Sequence, residues 1–469
     1  MKKNVQKNGL EAPPGIEKFF RIGLLIGVES RDLAVKLLHL IRGYGIYKIK
    51  PSISDKSNYI DFLEAVHDGW KLAQNLIADK LICNLNEIED LEKSKKQYHQ
   101  QRLPIKKSET ISKIRKLKLE NLIFRRFIDS IVWGMLDNEH STIRRLPIKK
   151  SGDNLSIKNI EDARYTVDEY NKAPLTIAII SDMTTFVHHG DIIARTKTGI
   201  KFIELKSGKK GLAITRTAEA ANHLKCAIAN EILTKRMNTT DKNQFTRIKN
   251  QIERGDNLSS TLKNNIGTDH LTGLKIQIGE SKVEIKYYDK ELIECRRKLE
   301  ENGKYGISVI DDCLYIGMYK TSDAAYMGFT GWMQVIECKS KIYNITDSFY
   351  DPLSRPLPSL YMPTEFVIEI MKGEIIMIAC LDIQAFYKLS QTIYPNMVRL
   401  TTPSNRVGLE EMLIKGKALT MKFADDLGNG YLGDGLITRM AFDLQTPSSI
   451  LKMQYAHSDH YYYLNEPTE

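Results

Sequence analysis

The sequence has no closely spaced cysteines, and this excludes the common structural zinc modules. It contains six cysteines, and none lies within four residues of another. Zinc knuckles and zinc ribbons bind the ion through cysteine pairs such as Cys-x-x-Cys, so neither is predicted. Dispersed single cysteines are typical of proteins that work in a reducing compartment.

Long apolar runs are also missing. No run reaches the roughly 18 apolar residues that a membrane-spanning helix needs. The first residues, Met1 to Lys3, are followed by polar residues and by Pro13-Pro14 instead of the apolar core of a signal peptide. We therefore expect a cytoplasmic protein that is not inserted in a membrane.

Acidic residues are fewer than basic residues, and the excess of basic residues is unevenly distributed along the chain. The 68 Lys and Arg outnumber the 58 Asp and Glu, which gives a net charge of +10. Residues 101–150 hold 13 basic against 5 acidic residues, whereas residues 341–469 hold 11 against 15. A basic front part favours contact with a polyanion. A solvated basic face explains the same charge equally well.

The length of 469 residues predicts several domains, because one ordinary core does not grow so large. We expect a multidomain chain of α/β and α+β class. Residues 1–95 form a predicted helical region, 96–305 a core of alternating strands and helices, and 306–469 an α+β domain. The polar, lysine-rich stretch 90–110 is predicted as a linker.

Hydrophobic periodicity predicts a helix over 111–137. Its apolar stripe includes Phe124 and Phe127, and Glu120 falls on the same stripe. Asp129 falls on the opposite side, which we expect to face solvent. A carboxylate on an apolar face is costly unless it is paired or binds a metal. Glu120 is therefore a candidate metal ligand, with a frayed helix start that reaches water as the alternative.

Further elements follow from the same patterns. The predicted strands are 175–186, 281–288 and 366–380, the predicted helices are 214–236, 240–255 and 289–302, and a hairpin turn is predicted at Asp311-Asp312.

One predicted hairpin brings two carboxylates and a lysine together. Asp191 opens a short strand, residues 196–199 form a tight turn, and the return strand ends in Glu204-Leu205-Lys206. Side chains alternate along a strand, so Glu204 and Lys206 share a face, and the turn returns Asp191 to their side. Two carboxylates suit a hard cation such as Mg²⁺ or Mn²⁺. A lysine beside them can stabilise charge that develops on a phosphate.

The string Gly-Asp-Ile-Ile, a turn and then Ile-Glu-Leu-Lys-Ser-Gly resembles the core motif of the PD-(D/E)XK nucleases, the restriction-endonuclease-like superfamily. The resemblance covers about residues 111–236 and implies a central mixed sheet flanked by helices. It implies that Asp191, Glu204 and the Leu205 carbonyl bind the metal and that Lys206 is the catalytic lysine. Glu120 matches by position the acidic residue that some members add from the preceding helix.

Two features depart from the family pattern. Gly190 stands where the family has a proline before the aspartate. Exonuclease-like members carry a glutamine and a tyrosine on the following helix, and this helix offers other polar residues, Glu219, Asn222 and His223.

Two other segments repeat the Glu-x-Lys pattern on apolar, strand-like stretches. They are Glu284-Ile285-Lys286, and Glu337-Cys338-Lys339 with Asp323 upstream. The context favours Asp191, because a glycine precedes it and a tight turn separates it from Glu204. The rival at Asp323 has glycines within its first predicted strand and no clear turn.

These residues lead us to expect a Mg²⁺- or Mn²⁺-dependent deoxyribonuclease. We expect an endonuclease, because the glutamine and tyrosine of the exonuclease-like members are missing. A role in restriction or anti-phage defence follows by analogy with the family. An RNA or branched-DNA nuclease and a non-catalytic nucleic-acid-binding or scaffold module are the alternatives. A homo-oligomer or a partner protein of a defence system is left open.

Basic residues near the motif are the expected contacts with the DNA backbone. They are Arg144, Arg145, Lys149, Lys150, Lys209 and Lys210. Two histidines before the motif, His188 and His189, are weaker candidates for phosphate contact. His457 and His460, near the end of the chain, are weaker candidates for metal binding.

Overall fold

The structure is a computed structural model, and its described residues divide into two compact units. The described residues are 19, 26–52, 54–144, 146–147, 155–205, 209–224, 227–235, 237–264, 266–268, 275–277, 283–403, 412–422 and 429–456. The larger unit takes its described residues from 32–282 and 349–360, and the smaller unit from 1–31, 283–348 and 361–456. This division differs from the boundaries predicted after residues 95 and 305.

The larger unit combines many helices with one small sheet and a short hairpin, which agrees with a mixed α and β class and a helical N-terminal region. Its elements in chain order are α1 (Val28–Leu38, from residue 32 onward), a π-helical turn (His39–Gly43), α2 (Tyr44–Lys48), α3 (Lys56–Gln100), α4 (Pro104–Met135), α5 (His140–Ile143), α6 (Ile157–Asn171), β1 (Ile177–Ile180), β2 (Ile192–Thr196), β3 (Gly199–Ile203), α7 (Lys209–Leu224), α8 (Ala227–Thr234), α9 (Thr239–Asn264), β4 (Ile266–Thr268) and β5 (Lys275–Gln277). Among the described helices of the whole chain, none is both long and apolar enough to cross a membrane.

Two long helices occupy the stretch predicted as a linker over 90–110, so that prediction is wrong. Helix α3 is 45 residues long, and its capping residue Asp55 accepts hydrogen bonds from two N–H groups of the first turn. Helix α4 begins at Pro104, where the missing proline N–H costs no helical hydrogen bond. Only residues 101–103 separate the two helices. The lysine-rich stretch therefore consists largely of helix ends.

The predicted apolar stripe of α4 is confirmed, since Phe124 and Phe127 are both buried. Asp129 is buried as well, with no solvent exposure, so its predicted solvent-facing position is wrong. The reason is a tertiary contact: Arg126, one turn earlier and equally buried, donates a 2.8 Å hydrogen bond to the Asp129 carboxylate. A paired and hydrogen-bonded charge can occupy a helix face that a single carboxylate could not.

The predicted hairpin forms two of the three strands of a sheet. Strands β1, β2 and β3 lie side by side in that order, and Gly199 has a φ of +114° where the hairpin turns. Every described pairing in this sheet is antiparallel, whereas a mixed sheet was expected. The predicted strand 175–186 is shorter than expected, because a 3₁₀ turn (Ser181–Met183) follows β1 directly.

Polar side chains from two helices form hydrogen bonds with the backbone groups on the outer edge of β1. The Gln74 side chain on α3 donates to the Ala178 carbonyl at 3.0 Å and accepts from the Ile180 N–H at 3.0 Å. At the end of α6, Asn171 accepts from the Ala178 N–H at 2.8 Å. An edge strand with unpaired backbone groups would be unstable when buried, and these amides remove that cost.

Beyond the sheet, the described residues of the stretch predicted as a helix over 214–236 are largely helical, in α7 and α8, and α7 begins earlier than predicted, at Lys209. Residues 225–226 and 236 lie outside the described residues. Helix α9 confirms the helix predicted over 240–255 and extends it at its C-terminal end. Helices α7 and α9 share a small buried cluster composed of Ile214, Ala218, Ala221, Phe245 and Ile248.

The smaller unit is built on two antiparallel sheets, one ordered β6-β7-β9-β8 and the other β10-β12-β11 with β13 beside β12. Its elements are α10 (Asp289–Asn302), β6 (Tyr305–Ile310), β7 (Leu314–Tyr319), α11 (Ser322–Val335), β8 (Ile342–Asn344), α12 (Thr364–Lys372), β9 (Ile376–Leu381), α13 (Ile383–Ile393), β10 (Val398–Thr401), β11 (Leu413–Ile414), β12 (Lys417–Lys422), β13 (Asn429–Tyr431), α14 (Gly435–Ala441) and α15 (Pro447–Tyr455). The predicted helix over 289–302 and the hairpin at Asp311-Asp312 are confirmed.

Two strand predictions in this unit are wrong. The stretch 366–380 begins as helix α12 and becomes strand β9 only after Gly373, whose φ of +72° ends the helix. Over 283–288, the described part of the other predicted strand, only Tyr287 forms a β-bridge. Both stretches are apolar enough for a strand, but a strand also requires a neighbouring strand to pair with.

The contacts of Gln74 predict a measurable loss of stability in Gln74→Ala. The substitution removes both hydrogen bonds to β1 and leaves a buried carbonyl and N–H with fewer partners, which costs about 1–3 kcal/mol. Urea unfolding followed by circular dichroism measures the change. Gln97→Ala, at an exposed position of the same helix, is the matched control and should change stability little. Equal stability of the two variants would contradict the edge-tethering role of Gln74.

Candidate active site

Asp191 lies where the ends of three strands meet. Its backbone N–H donates to the Ile203 carbonyl at 2.8 Å, and its carbonyl accepts from the Ser181 N–H at 2.9 Å. The carboxylate of Asp191 accepts a further hydrogen bond from the Leu205 N–H. Asp191, which directly precedes β2, is therefore hydrogen-bonded both to the residue that follows β1 and to residues at and just after the end of β3.

Gly190 is required by this close approach of the chain to β3. Its φ is +68°, and a Cβ atom placed on it would lie 2.9 Å from the Ile203 carbonyl oxygen. A side chain at this position would therefore be strained and would also collide with the backbone. This gives a local reason for glycine where the nuclease family has proline.

Asp191 and Glu204 line the same cavity. Its volume is about 520 Å³, and its wall includes residues from α4, from the turn after β1, from α9 and from the segment 349–360. Glu204 directly follows β3, and the hairpin register places Ile203 opposite Ile192, next to Asp191. The two carboxylates that the sequence analysis predicted as neighbours thus lie on the wall of one cavity.

Basic and polar side chains line the same cavity. Arg125 on α4, Arg247 on α9 and His188 belong to its wall. Arg125 is held in place by hydrogen bonds from Nε (3.1 Å) and Nη2 to the Thr184 carbonyl. The Oε1 atom of Gln251 is buried and has no hydrogen-bond partner among the described residues. The cavity therefore presents both cation-binding and anion-binding groups.

A third carboxylate, Asp182, also lines the cavity but is already engaged. Its Oδ2 accepts a 2.7 Å hydrogen bond from the Asn159 side chain on α6. In the part of the chain that the structure describes, no group of three or more Asp, Glu, His or Cys is arranged to hold a metal ion. Asp191 and Glu204 are the other two acidic residues of the cavity wall.

The wall of the cavity rests on a buried network behind it. Asp129 accepts hydrogen bonds from the Thr185 N–H (2.8 Å) and the Thr185 hydroxyl (2.5 Å). Its partner Arg126 donates to the carbonyl (2.7 Å) and hydroxyl (3.1 Å) of Ser354 in the segment 349–360. One ion pair on α4 thus positions two stretches of the wall, the turn after β1 and the segment 349–360.

Glu120 lies elsewhere. It is buried, and Lys80 on α3 lies 3.6 Å from its carboxylate. The residue is not part of the cavity wall, and it does not join Asp191 and Glu204 in a metal-binding group. Lys80 supplies the pairing that a carboxylate on an apolar face requires.

Several predicted site residues lie partly or wholly outside the described residues. Lys206 lies outside them, as do Arg145, Lys149, Lys150, His457 and His460. Lys209 and Lys210 begin helix α7, and their side chains are not described. Arg144 is described and exposed. Of the two histidines before the motif, His188 lines the cavity, whereas His189 is buried with its ring beside Phe202.

The rival Glu-x-Lys segments do not form hairpins in the described structure. Asp323 lies in the first turn of helix α11, and Glu337 follows the end of that helix with a φ of +56°. Glu284 lies in a segment without regular strand structure. The predicted strand character of both segments is therefore wrong, and neither brings its carboxylates together across a tight turn.

The donor set fits a hard divalent cation. Mg²⁺ is commonly bound by one or two carboxylates, with waters and substrate oxygens in the remaining positions. Asp191 and Glu204 would supply two such carboxylates at the cavity wall, whereas Leu205, whose carbonyl the family resemblance adds as a ligand, does not line it. The Leu205 N–H engages one carboxylate oxygen of Asp191 and leaves the other for coordination.

Sequence reasoning did not identify Asp182, Arg125, Arg247 or Gln251 as cavity residues. Asp182 follows an apolar strand closely, and that position was a usable signal. The two arginines and Gln251 lie on helices far from the motif in sequence, and no local pattern distinguishes them from solvated residues.

Comparison with protein-family models, with curated proteins and with solved structures gave no match.

The buried network predicts a large loss of stability in Asp129→Asn. The substitution leaves the Arg126 guanidinium buried without its counter-charge, which costs about 3–5 kcal/mol. Chemical unfolding followed by tryptophan fluorescence measures the loss. Asp137→Asn is the matched control, because Asp137 also pairs with an arginine at 2.8 Å but is exposed. That variant should lose less than about 1 kcal/mol. Equal losses in the two variants would contradict the supporting role of Asp129.

Proposed function

We propose that this chain is a metal-dependent nuclease with its active site at Asp191, Glu204 and Lys206. The observation that carries the proposal is the convergence of Asp191 and Glu204 on a cavity that also holds two arginines. Paired carboxylates beside guanidinium groups suit the binding and hydrolysis of a phosphodiester. The restriction-endonuclease-like character of the core is part of this proposal.

Mg²⁺ or Mn²⁺ bound there would polarise the scissile phosphate and make a water molecule easier to deprotonate. The proposal gives the chain's own residues the following roles. Asp191 and Glu204 orient the reacting groups, and the Lys206 ammonium, two residues after Glu204, stabilises charge on the attacked phosphate. Arg125 and Arg247 bind non-bridging phosphate oxygens, for which the planar guanidinium is well suited.

DNA is the proposed substrate. The basic surface of α4 supports the proposal that the substrate is a polyanion. The first half of this helix has several exposed basic residues, namely Lys106, Lys113, Arg115, Lys116 and Lys118. Such residues attract the phosphate backbone without reading its sequence. Endonuclease action and a role in anti-phage defence or restriction belong to the proposal by analogy with the family. Hydrolysis of RNA or branched DNA would use the same groups.

A non-catalytic module is the second candidate, and one observation favours it. The Asp191 carboxylate accepts a hydrogen bond from the Leu205 N–H, so this residue has a structural use that needs no metal. A scaffold that binds nucleic acid would keep this contact and would have no need of Glu204 or Lys206. Cleavage assays of the single variants distinguish the two candidates.

We expect Asp191→Ala, Glu204→Ala and Lys206→Ala each to lower single-turnover cleavage of plasmid DNA by at least about 10²–10³-fold. Because the three groups act together, double variants should be little worse than single ones. The measurement is cleavage in Mg²⁺ buffer, with a thermal melt of each variant to confirm folding.

Asp182→Ala and Lys339→Ala are the matched controls for these variants. Asp182 lines the same cavity but is paired with Asn159, and Lys339 belongs to the rival Glu-x-Lys segment. Both variants should retain most of the activity. A folded Lys206→Ala that cleaves normally, beside an inactive and folded Lys339→Ala, would place the active site elsewhere. A substrate panel with RNA and branched DNA identifies the preferred nucleic acid.

The expected contacts with the phosphate backbone of DNA predict that the affinity for DNA depends on the salt concentration. Ca²⁺ in place of Mg²⁺ should permit DNA binding with little cleavage, because Ca²⁺ activates water poorly. In that buffer, a substitution that removes one phosphate-binding side chain should flatten the log–log salt slope by about one unit. The test variant neutralises four expected contacts, Arg144, Arg145, Lys149 and Lys150.

The charge-matched control replaces four exposed lysines of the smaller unit by glutamine, namely Lys290, Lys298, Lys304 and Lys320. This control lowers the net charge equally and should leave the slope almost unchanged. If both variants flatten the slope by the same amount, net charge and not local contact governs the affinity.

A further inference from the structure

Two cysteines that are distant in sequence lie together in the smaller unit. The Sγ atoms of Cys338 and Cys380 are 3.7 Å apart, although the two residues are 42 positions apart along the chain. Cys380 belongs to β9, which lies between β7 and β8, and it is fully buried. Cys338 lies in the segment that joins α11 to β8 and is half-buried.

Cys338 is also accessible from a cavity. The cavity has a volume of about 1040 Å³, and Cys338 contributes to its wall whereas Cys380 does not. Two lysines that follow Cys338 in sequence, Lys339 and Lys341, line the same cavity, together with Asp382 at the start of α13. A small molecule that enters the cavity therefore meets Cys338 first, and Cys380 lies behind it.

The pairing changes the acidity of both thiols. The contact with the Cys380 thiol lowers the pKa of Cys338 from the usual 9.0 to about 6, and hydrogen bonds with Ser340 act in the same direction. The same pairing, together with burial, raises the pKa of Cys380. Cys338 is therefore the more acidic thiol of the pair, and the thiolate is the reactive form of cysteine.

The other described cysteines differ from this pair. Cys295 and Cys313 are fully buried, and burial raises the pKa of both thiols. Cys83, on α3 of the larger unit, is exposed and free. Only the pair combines a thiol that faces a cavity with a second thiol in contact, within the described part of the chain.

We propose that Cys338 and Cys380 form a redox-active dithiol that a hydroperoxide oxidises to an intramolecular disulfide. The Cys338 thiolate attacks one peroxide oxygen, the O–O bond breaks, and the departing oxygen leaves as hydroxide or alkoxide and takes up a proton. Cys338 is then a sulfenic acid. The Cys380 sulfur attacks the Cys338 sulfur and loses its proton, the S–O bond breaks, and water leaves. The two thiols lose two electrons, and the peroxide gains them.

Closure of the disulfide requires the two sulfur atoms to move together. A disulfide needs the sulfurs at about 2.05 Å, so they must approach each other from the present 3.7 Å. Cys380 is held in a paired strand, whereas Cys338 lies in a connecting segment that begins at Glu337, with a φ of +56°. The movement required is therefore mainly that of the Cys338 segment, while the sheet stays in place.

The experiment treats the full-length reduced protein with equimolar hydrogen peroxide, alkylates it under denaturing conditions and analyses it by mass spectrometry. Before alkylation, we expect the intact mass of the oxidised protein to be lower than that of the reduced protein by two hydrogens. After alkylation, two fewer thiols should be modified, and digestion should give a disulfide-linked peptide pair that contains Cys338 and Cys380. Without peroxide, native alkylation at pH 6 should modify Cys338 about tenfold faster than the exposed Cys83.

Variants separate the role of Cys338, which reacts with the peroxide, from the role of Cys380, which closes the disulfide. Cys380→Ser should accumulate a sulfenic acid on Cys338 that a dimedone probe labels, because the second step is blocked. Cys338→Ser should leave Cys380 reduced, and Cys83→Ser should form the disulfide as the wild type does.

Three outcomes in the wild type would overturn the proposal, and none depends on a variant that folds. They are oxidation of Cys83 ahead of the pair, progress of Cys338 to sulfinic acid without a disulfide, and retention of a zinc ion by both thiols that prevents oxidation.

Discussion

The hydrogen bonds of Asp191 are the constraint on which the candidate site depends. The backbone of this one residue pairs with Ser181 after β1 and with Ile203 at the end of β3, and its carboxylate holds Leu205. Asp182 follows Ser181, and Glu204 lies between the other two tied residues. The three carboxylates of the cavity therefore owe their positions to the same few backbone contacts. Gly190 makes this junction possible, since a Cβ atom there would collide with β3.

A second layer of structure supports the cavity from behind. The ion pair of Arg126 and Asp129 is fully buried, which is costly unless both groups have further hydrogen bonds. Thr185 supplies two of them to Asp129, and Ser354 accepts two from Arg126. The interactions that satisfy these buried charges also hold two stretches of the cavity wall in place. An active site of the proposed kind would need such support, because small displacements of the reacting groups slow a reaction strongly.

Local patterns predicted the parts of the fold that local interactions determine. Helix α10 and the hairpins at Gly199 and Asp311 follow from hydrophobic periodicity and turn residues, and so does the proximity of Asp191 to Glu204. Tertiary contacts account for the rest. The predicted solvent-facing position of Asp129 is wrong because its contacts with Thr185 and Arg126 cannot be inferred from a helical stripe. The stretch 366–380 has the apolar content of a strand, but a left-handed glycine divides it into a helix and a strand. No sequence pattern brings Cys338 to Cys380, because their contact depends on how β9 lies beside the segment before β8.

The central claim is that Asp191 and Glu204 together bind one divalent cation. Titration of the protein with Mn²⁺, followed by electron paramagnetic resonance in the absence of nucleic acid, tests this without relying on activity. We expect one bound ion in the wild type and in Asp182→Asn, and strongly weakened binding in both Asp191→Asn and Glu204→Gln. The double variant should bind no worse than the weaker single variant, because either change already breaks the pair. Wild-type Mn²⁺ affinity in a folded Asp191→Asn, Glu204→Gln double variant would contradict the claim.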